Sequence, residues 1–281
     1  MKLIHRTKIL ASLVRETEMV TSPSHAHSLL FLLCNEYIEH NHYYEFIPQA
    51  EGPFSLQAEA DKDALVKKKI LENSYEYKSV AGSYRCALDL DFFEKIAIQR
   101  LKNDWAGKNF EELQNHLREK YPAFFSDNAA KNNTELAFFT IGYEGLSPDE
   151  YLQKLLKNNV RLLCDVRKNA YSQKFGFSKN ELQNVLKKGG IEYLHIPDLG
   201  IKSEMRGNLE TYQDYKNLFE HYEKEILPNQ VENLNFLAKL MHQHRRIAIT
   251  CFEAKYHECH RSKIADWLEK IPDVKIEIIH I

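Results

Sequence analysis

Short apolar runs alternate with longer amphipathic stretches throughout the second half of the chain, and this alternation constrains the fold more than any other feature. The runs have the length and composition of β-strands: ELAFFTIGY, VRLLCDVR, IEYLHIP, RRIAITCF and VKIEIIHI. The stretches between them carry apolar residues at helical spacing: 147–158, 178–188, 212–227, 230–244 and 261–269. Strands separated by helices pair in parallel through right-handed crossovers, with helices on both faces. We therefore predict a Rossmann-like α/β domain over 134–281, with its last strand at an edge in either direction.

The first part of the chain, 1–125, has a mainly helical pattern. One helix is predicted after the cap Ser22-Pro23-Ser24, and another after Ser55, where Gly52-Pro53 breaks the chain. A short hairpin that turns near Ala81-Gly82 is predicted next. Two more helices are expected over 89–102 and 108–119. Helix, helix and hairpin is the order of elements in a winged helix.

The turn between the first two helices resembles one found in small winged-helix modules of bacterial defence and toxin–antitoxin proteins. It consists of Phe46, Pro48, Gly52, Pro53, Phe54 and Ser55. The resemblance implies a recognition module that binds nucleic acid or another protein. The lysines of the following helix would then contact phosphates, although a solvated helix face explains them equally well because Glu59, Asp61 and Asp63 lie among them: Lys62, Lys67, Lys68 and Lys69. The polar segment 126–133 is the predicted domain boundary.

Charge and composition restrict the classes of function. The net charge is −2, from 38 basic and 40 acidic residues, so no global basic field would draw the whole protein onto nucleic acid. The chain begins without a long apolar secretion signal, and no run of about 18 apolar residues predicts a membrane-spanning helix. The five cysteines form an odd and sparse set, which favours reduced thiols and a cytoplasmic location.

Reactive side chains follow four of the five predicted strands. In an open parallel sheet, ligands bind beyond the carboxyl ends of the strands, so these side chains should meet at one edge. They belong to the turns after the first, second, third and fourth strands: Tyr143 and Glu144; Asp165, Arg167 and Tyr171; His195; and Cys251, Glu253, Cys259, His260 and Arg261. We predict that Asp165, His195, Glu253 and Cys251 are catalytic and that the others bind substrate.

Each of these residues also has a structural explanation. Asp165 and Arg167 would form an ion pair that only stabilises the end of the strand. We favour a functional role, because charges just beyond a buried strand need either a partner or a role in binding or catalysis. His195 would be a half-buried histidine with satisfied hydrogen bonds, Tyr143 and Glu144 would shape a turn, and Tyr171 would pack.

The segment CFEAKYHECHR has two further interpretations. Its Cys, His and Glu side chains are ligand types that suit zinc, but the C-x7-C-H spacing is not that of a usual zinc site, and we assign no metal ligand. A nucleophilic thiol is the second interpretation, because Cys259 precedes a helix whose dipole lowers the pKa of a thiol. A buried, inert Cys251 is the structural alternative.

Anion binding is the interpretation we prefer for Cys259-His260-Arg261. A helix that begins there presents free backbone N–H groups, Arg261 adds a fork for two phosphate oxygens, and Arg167 approaches from the neighbouring loop. Lys202 and Arg206 add further positive charge. This rim, together with carboxylates at Asp165, Glu144 and Glu253, suits a phosphorylated or nucleotide-like substrate in acid–base or glycosyl chemistry. The chain has no Walker or Gly-x-Gly-x-x-Gly loop, and it identifies no cofactor.

Four ordered motifs resemble those of the bacterial family called domain of unknown function 488: TIGYEG, LLCDVRKNAYSQKFGFSK, GIEYLHIPDLG and ITCFEAKYHECHR. The resemblance runs from about 138 to 267 and implies a compact α/β fold. It points to strand-end residues as the site: Asp165, Arg167, His195, Cys251, Glu253, Cys259, His260 and Arg261. The chain departs from the family pattern at Tyr143 and Glu144, where many members have His and Ser or Asn. The family supplies no reaction.

We therefore predict an enzyme that acts on a nucleotide or nucleic acid through a cleft at the carboxyl edge, with the first domain as a recognition module. One alternative is a DNA-binding regulator whose α/β domain senses a ligand without catalysis. Another is a metal- or thiol-dependent enzyme centred on Cys251 and Cys259. The prediction depends on a geometric premise, which is that Asp165, His195, Cys251 and Arg261 face one cavity.

Overall fold

The computed structural model of this protein describes residues 3–17, 22–38, 43–73, 75–80, 89–105, 107–125, 135–206, 211–270 and 276–281. The chain divides into two units, Met1–Lys131 and Asn132–Ile281. None of the described helices combines the length and the apolar character that crossing a membrane requires.

The first unit is mainly helical, as predicted. In chain order it consists of α1 (His5–Thr17), α2 (Pro23–Leu32), β1 (Ile47–Gln49), β2 (Gly52–Phe54), α3 (Leu56–Lys67), α4 (Phe92–Trp105) and α5 (Phe110–Lys120). The predicted caps are confirmed: the hydroxyl of Ser22 accepts from the His25 N–H at 3.2 Å, and that of Ser55 accepts from the Ala58 N–H at 3.2 Å. The apolar faces of these helices pack into one core.

Two features of the first unit differ from the sequence-based expectations. Gly52-Pro53 was expected to break the chain, but it forms β2, which pairs antiparallel with β1. Gly52 permits this tight reversal because its φ is +107°, in the region that side chains disfavour. The predicted turn near Ala81-Gly82 lies outside the described residues, and Leu71 already bridges Ser79. The winged-helix resemblance stays a prediction.

One of the lysines proposed to contact phosphate, Lys62, points into the protein instead of into solvent. Lys62 is buried, its ammonium donates to the Tyr75 carbonyl oxygen at 2.8 Å, and it lies 4.4 Å from the centre of the Tyr77 ring. Its neighbour Asp61 is also buried and binds Arg6 at 2.8 Å. The positive charge of α3 that remains exposed is therefore confined to the end of the helix.

The second unit is built on a five-stranded sheet. Its strands are β3 (Ala137–Gly142), β4 (Leu162–Asp165), β5 (Glu192–His195), β6 (Arg246–Cys251) and β7 (Glu277–His280). They lie in the order β5-β4-β6-β3-β7, and every pair is parallel. The predicted α/β fold is confirmed, and β7 forms one edge, parallel to β3.

Within the described part of the second unit, five helices connect the strands: α6 (Pro148–Lys157), α7 (Lys179–Lys188), α8 (Tyr212–His221), α9 (Val231–His244) and α10 (Arg261–Glu269). Helix α8 continues through a π-helical turn, Tyr222–Ile226, and a 3-10 turn, Leu227–Gln230. Right-handed crossovers place α6 and α7 on one face of the sheet and α8 to α10 on the other. Every residue of β3 and β6 is buried because helices cover both faces of these central strands.

A histidine–carboxylate network joins α2, α3 and the segment after α3 in the first unit. The Ser55 N–H donates to Nδ1 of the buried His27 at 3.1 Å, so the protonated Nε2 donates to Glu59 at 2.9 Å. The Tyr77 hydroxyl donates to the same carboxylate at 2.6 Å. Burial alone would raise the pKa of Glu59, but the hydrogen bonds from His27 and Tyr77 outweigh it and lower the pKa to about 2.

Replacing Glu59 by Gln should lower the free energy of unfolding of the first unit by about 2 kcal/mol at neutral pH. This value allows for the screening of the partly exposed carboxylate by solvent. Because the pKa of Glu59 is lower in the folded state than its ordinary value of 4.5, this stabilisation is present above pH 4.5 and is lost as the pH falls towards 2. The difference between wild type and variant should therefore shrink below pH 4.5.

Urea unfolding followed by Trp105 fluorescence in a Trp267→Phe background measures this effect, because the chain has only these two tryptophans. The matched control is Glu16→Gln, whose partner Arg15 is exposed with it, and which should change stability by a few tenths of a kcal/mol. An undiminished effect of Glu59→Gln in acid would contradict the prediction.

Candidate active site

Four parallel strands end side by side and bring their following residues to one edge of the sheet, which we call the carboxyl edge. Asp165 at the end of β4 lies opposite both His195 of β5 and Thr250 of β6. Gly142 at the end of β3 lies opposite Cys251 of β6. The strand ends therefore meet as the sequence predicts, but their side chains have different environments.

Asp165 and Arg167 form a buried ion pair. Asp165 has no exposed surface, and Arg167 is 6% exposed. The guanidinium donates to both carboxylate oxygens, from Nε at 2.8 Å and from Nη2 at 2.6 Å. The Tyr193 hydroxyl donates to the same carboxylate at 2.8 Å. The structural alternative considered for these two charges is thus present, with the carboxylate fully engaged inside the protein.

The remaining guanidinium donors of Arg167 also point into the protein. Nη1 donates to the Tyr143 hydroxyl at 2.8 Å and to the Phe177 carbonyl oxygen at 2.9 Å. The rings of Tyr143 and Phe177 stack with their centres 4.4 Å apart. Burial alone would lower the pKa of Arg167, but Asp165 outweighs it and raises the pKa. A phosphate at Arg167 would have to displace these partners.

His195 and Tyr171 border a separate, open cleft of about 400 Å³, with Lys168, Asn169 and Lys179. His195 Nε2 lies 2.9 Å from the Arg167 carbonyl oxygen, so this nitrogen donates. Tyr171 is 69% exposed. These two residues therefore face solvent on the β4–β5 side of the edge.

Glu144 and Glu253 line a larger cleft of about 520 Å³, which we call the main cleft. Its other walls come from α8, from the turn after β6 and from α10: Tyr215, Lys216, Phe219, Phe252, His257 and Lys263. Glu144 accepts from the Ala254 N–H at 3.0 Å. Glycine is required at position 142, because a Cβ on Gly142 would lie 1.8 Å from the Glu253 carbonyl oxygen.

Arg261 supports the turn after β6. It is 1% exposed, and its guanidinium donates to the carbonyl oxygens of Glu253 and Ala254, the latter at 2.8 Å. Its Nε is buried without a hydrogen-bond partner. Arg261 also borders a third cleft of about 350 Å³, beside Gly142 and His280. The fork predicted to hold phosphate is thus occupied by backbone carbonyls.

The side chains of Cys251, Cys259 and His260 form a buried cluster in which the three potential ligand atoms lie within 4.8 Å of one another. Burial, and then the neighbouring Cys251, raise the pKa of Cys259. Among the residues that the structure describes, this is the one group with the composition and spacing to hold a metal ion. The sequence indicated a metal site only weakly, because the C-x7-C-H spacing is not that of a usual zinc site.

The single cavity predicted for Asp165, His195, Cys251 and Arg261 is not formed by the described residues, so these four side chains do not make one catalytic site and a catalytic proposal has to rest on other residues. Asp165 and Cys251 are buried, whereas His195 and Arg261 border different clefts. The physical reason is that the turns after β3 and β6 cover the centre of the carboxyl edge, where Tyr143 and Glu144 donate backbone hydrogen bonds to Cys251 and Phe252.

Sequence reasoning missed several residues of this edge. Tyr193 lies two positions before His195, and the two-residue period of a strand would have placed both side chains on one face. Tyr215 and Lys216 reach the main cleft from α8, and they belong to none of the strand-end motifs. Phe252 stands within a quoted motif but was not assigned a role.

Asp165→Ala should lower the free energy of unfolding of the second unit by about 3–5 kcal/mol, because it leaves the buried Arg167 charge without its partner. The matched control is Asp198→Ala, which removes an exposed ion pair with Lys168 and should cost less than about 1 kcal/mol. Urea unfolding followed by Trp267 fluorescence in a Trp105→Phe background compares the two. Equal costs would mean that the Asp165 pair is not desolvated.

Comparison with known proteins gives one match. No curated protein and no solved structure matches the chain. A family model does match, over residues 147–268, and this region runs from α6 into the last turn of α10. The predicted resemblance is thereby confirmed over a region that contains three of the four motifs, and TIGYEG lies just before it. This region is similar to the family described as Domain of unknown function DUF488.

Proposed function

We propose that the second unit is an enzyme that binds the nucleoside part of a nucleotide or nucleic acid in the main cleft. Glu253 and Glu144 would supply the acid–base chemistry. The observation that carries this proposal is the composition of the cleft, which combines carboxylates from two strand ends with exposed aromatic rings at the carboxyl edge.

The aromatic rings suit a planar ligand. Phe252 is 43% exposed and Tyr215 is 37% exposed, and both line the main cleft. Exposed rings on a cleft wall can stack on any of the nucleobases, and each such contact contributes about 1–3 kcal/mol to binding. A volume of about 520 Å³ falls within the range of small-molecule sites.

The charges in the cleft favour a sugar and base over a phosphate. Carboxylates outnumber cationic groups there: Glu144, Glu220, Glu253 and Glu258 against Lys216 and Lys263. Lys263 is already paired with Glu223 at 2.7 Å. Carboxylates accept hydrogen bonds from ribose hydroxyls and base amino groups, whereas a phosphate would be repelled. We therefore expect the phosphate of a bound nucleotide to lie outside the cleft or at Lys216.

A pair of carboxylates can serve the hydrolysis of an N-glycosidic bond. One would stabilise the positive charge that develops on the sugar as the base departs with the bond electrons. The other would accept a proton from the attacking water, and the departing base, which leaves with the bond electrons, would take up a proton from solvent. In this scheme Asp165, Arg167 and Arg261 are positioning residues, because they hold the strand ends and the Glu253 backbone.

Glu253→Gln should lower kcat by about 10²–10⁴-fold with little change in substrate affinity, because it keeps the shape of the side chain and removes its base. Phe252→Ala should instead weaken binding by about 1–3 kcal/mol. The control is Glu232→Gln, an exposed carboxylate at the start of α9 outside the main cleft. Calorimetry with nucleosides and their 5′-phosphates measures binding, and chromatography of released base measures turnover.

Two outcomes would change the assignment. Binding without turnover by the wild type would favour the alternative of a ligand-sensing regulator, which a gel shift of DNA with and without the nucleoside would then test. Equal affinities of wild type and Phe252→Ala for every nucleoside would remove the main cleft as the site.

A further inference from the structure

We propose that Cys251, Cys259 and His260 bind a thiophilic divalent metal ion of the Zn²⁺ class. The ion would join the end of β6 to the start of α10 and so hold the turn 252–258 that lines the main cleft. The proposal does not rest on the proposed function, because metal binding can be measured without any substrate.

The two sulfur–nitrogen distances in this cluster are close to those of a tetrahedral metal site. The Sγ atoms of Cys251 and Cys259 each lie 3.7 Å from Nδ1 of His260. With Zn–S and Zn–N bonds of about 2.3 and 2.0 Å, sulfur and nitrogen ligands of tetrahedral zinc lie about 3.5 Å apart. An ion could therefore enter between these atoms with little movement of the backbone.

The protonation of His260 is also that of a metal ligand. Its Nε2 lies 3.1 Å from the Val166 carbonyl oxygen, and a carbonyl can only accept, so Nε2 carries the proton. Nδ1 then directs its one lone pair towards both sulfur atoms. A metal ion placed there can bind all three atoms. Metal-binding histidines are commonly held in this way by a carbonyl on the second nitrogen.

Burial distinguishes this cluster from scattered cysteines. Cys251 is 2% exposed, and Cys259 and His260 are fully buried. Two adjacent thiols become ligands only as thiolates, so each would release its proton to solvent as the positive ion replaces it. Cys164 is equally buried in the same sheet but belongs to no such group among the described residues. It is therefore the matched control.

The position of the ligands in the chain gives the ion a structural consequence. Cys251 immediately precedes the turn 252–258, and Cys259-His260 immediately follows it. This turn contributes Phe252, Glu253 and His257 to the main cleft. Loss of the ion should loosen the turn and expose its backbone.

The experiment uses the full chain, refilled with Zn²⁺ or Co²⁺ under reducing conditions and freed of excess metal. We expect one equivalent of zinc per chain in the wild type and in Cys164→Ala. With Co²⁺ we expect a thiolate-to-metal charge-transfer band and tetrahedral ligand-field bands. Cys259→Ser and His260→Gln should lose the stoichiometric metal, and Cys259→Ser should also weaken the charge-transfer band.

Limited trypsin digestion supplies a second measurement. The side chain of Lys255, in the centre of the turn, is 65% exposed. Cleavage after Lys255 should become at least about tenfold faster when the metal is removed by a chelator, because opening of the turn then needs less free energy. Cleavage at sites in the first unit should be unchanged.

The proposal is overturned if the refilled wild type holds no stoichiometric metal or gives no thiolate-to-Co²⁺ band, a result that does not depend on whether the variants fold. Equal metal content in wild type, Cys259→Ser and His260→Gln would also overturn it. A disulfide between Cys251 and Cys259, found by mass spectrometry in wild-type protein purified without a chelator, would also overturn it. Nucleoside binding that persists in metal-free protein would leave the proposed function standing.

Discussion

The buried ion pair between Asp165 and Arg167 is the interaction on which the carboxyl edge depends. A desolvated carboxylate and guanidinium are tolerated only when nearly every lone pair and proton finds a partner. Here the partners come from three other parts of the chain, since Tyr193 binds the carboxylate while Tyr143 and Phe177 bind the guanidinium. The backbone carbonyl of Arg167 also fixes His195. One ion pair therefore sets the positions of residues in the turn after β3, in β4 and β5, and in the segment before α7.

A second constraint, close backbone packing, determines where the main cleft can form. Gly142 lets the end of β3 lie directly against the carbonyl oxygen of Glu253, and no side chain could be placed there without moving the turn. Arg261 also binds the carbonyl oxygens of Glu253 and Ala254. The Glu253 backbone is thus packed against Gly142 and hydrogen-bonded by Arg261, while its side chain lines the cleft. A carboxylate on a fixed backbone needs little reorganisation to act on a ligand.

The fold of the second unit could be predicted from the sequence because the relevant signal is local. Each strand is a short apolar run, each helix has its own apolar spacing, and the crossover rule supplies the parallel arrangement. The roles of the strand-end residues could not be predicted, because they depend on partners from distant segments. Asp165 and Arg167 look alike in sequence whether they bind a substrate or each other. Only the positions of Tyr143, Tyr193 and Phe177 show that their hydrogen bonds are directed inward.

The cysteine cluster illustrates the same limit from the opposite direction. The spacing of Cys251, Cys259 and His260 matches no usual zinc motif, since familiar motifs place their ligands in pairs only a few residues apart. Here the end of β6 and the two residues just before α10 supply the ligands, so the sheet and the helix set their separation and the intervening turn is free to carry other residues. That turn carries Glu253, whose backbone is bound by Arg261 and whose neighbour Cys251 belongs to the cluster. Ion binding and the shape of the main cleft are therefore coupled through a single seven-residue segment, 252–258. A change that weakens ion binding should alter the cleft, and a ligand that alters the cleft should change the affinity for the ion.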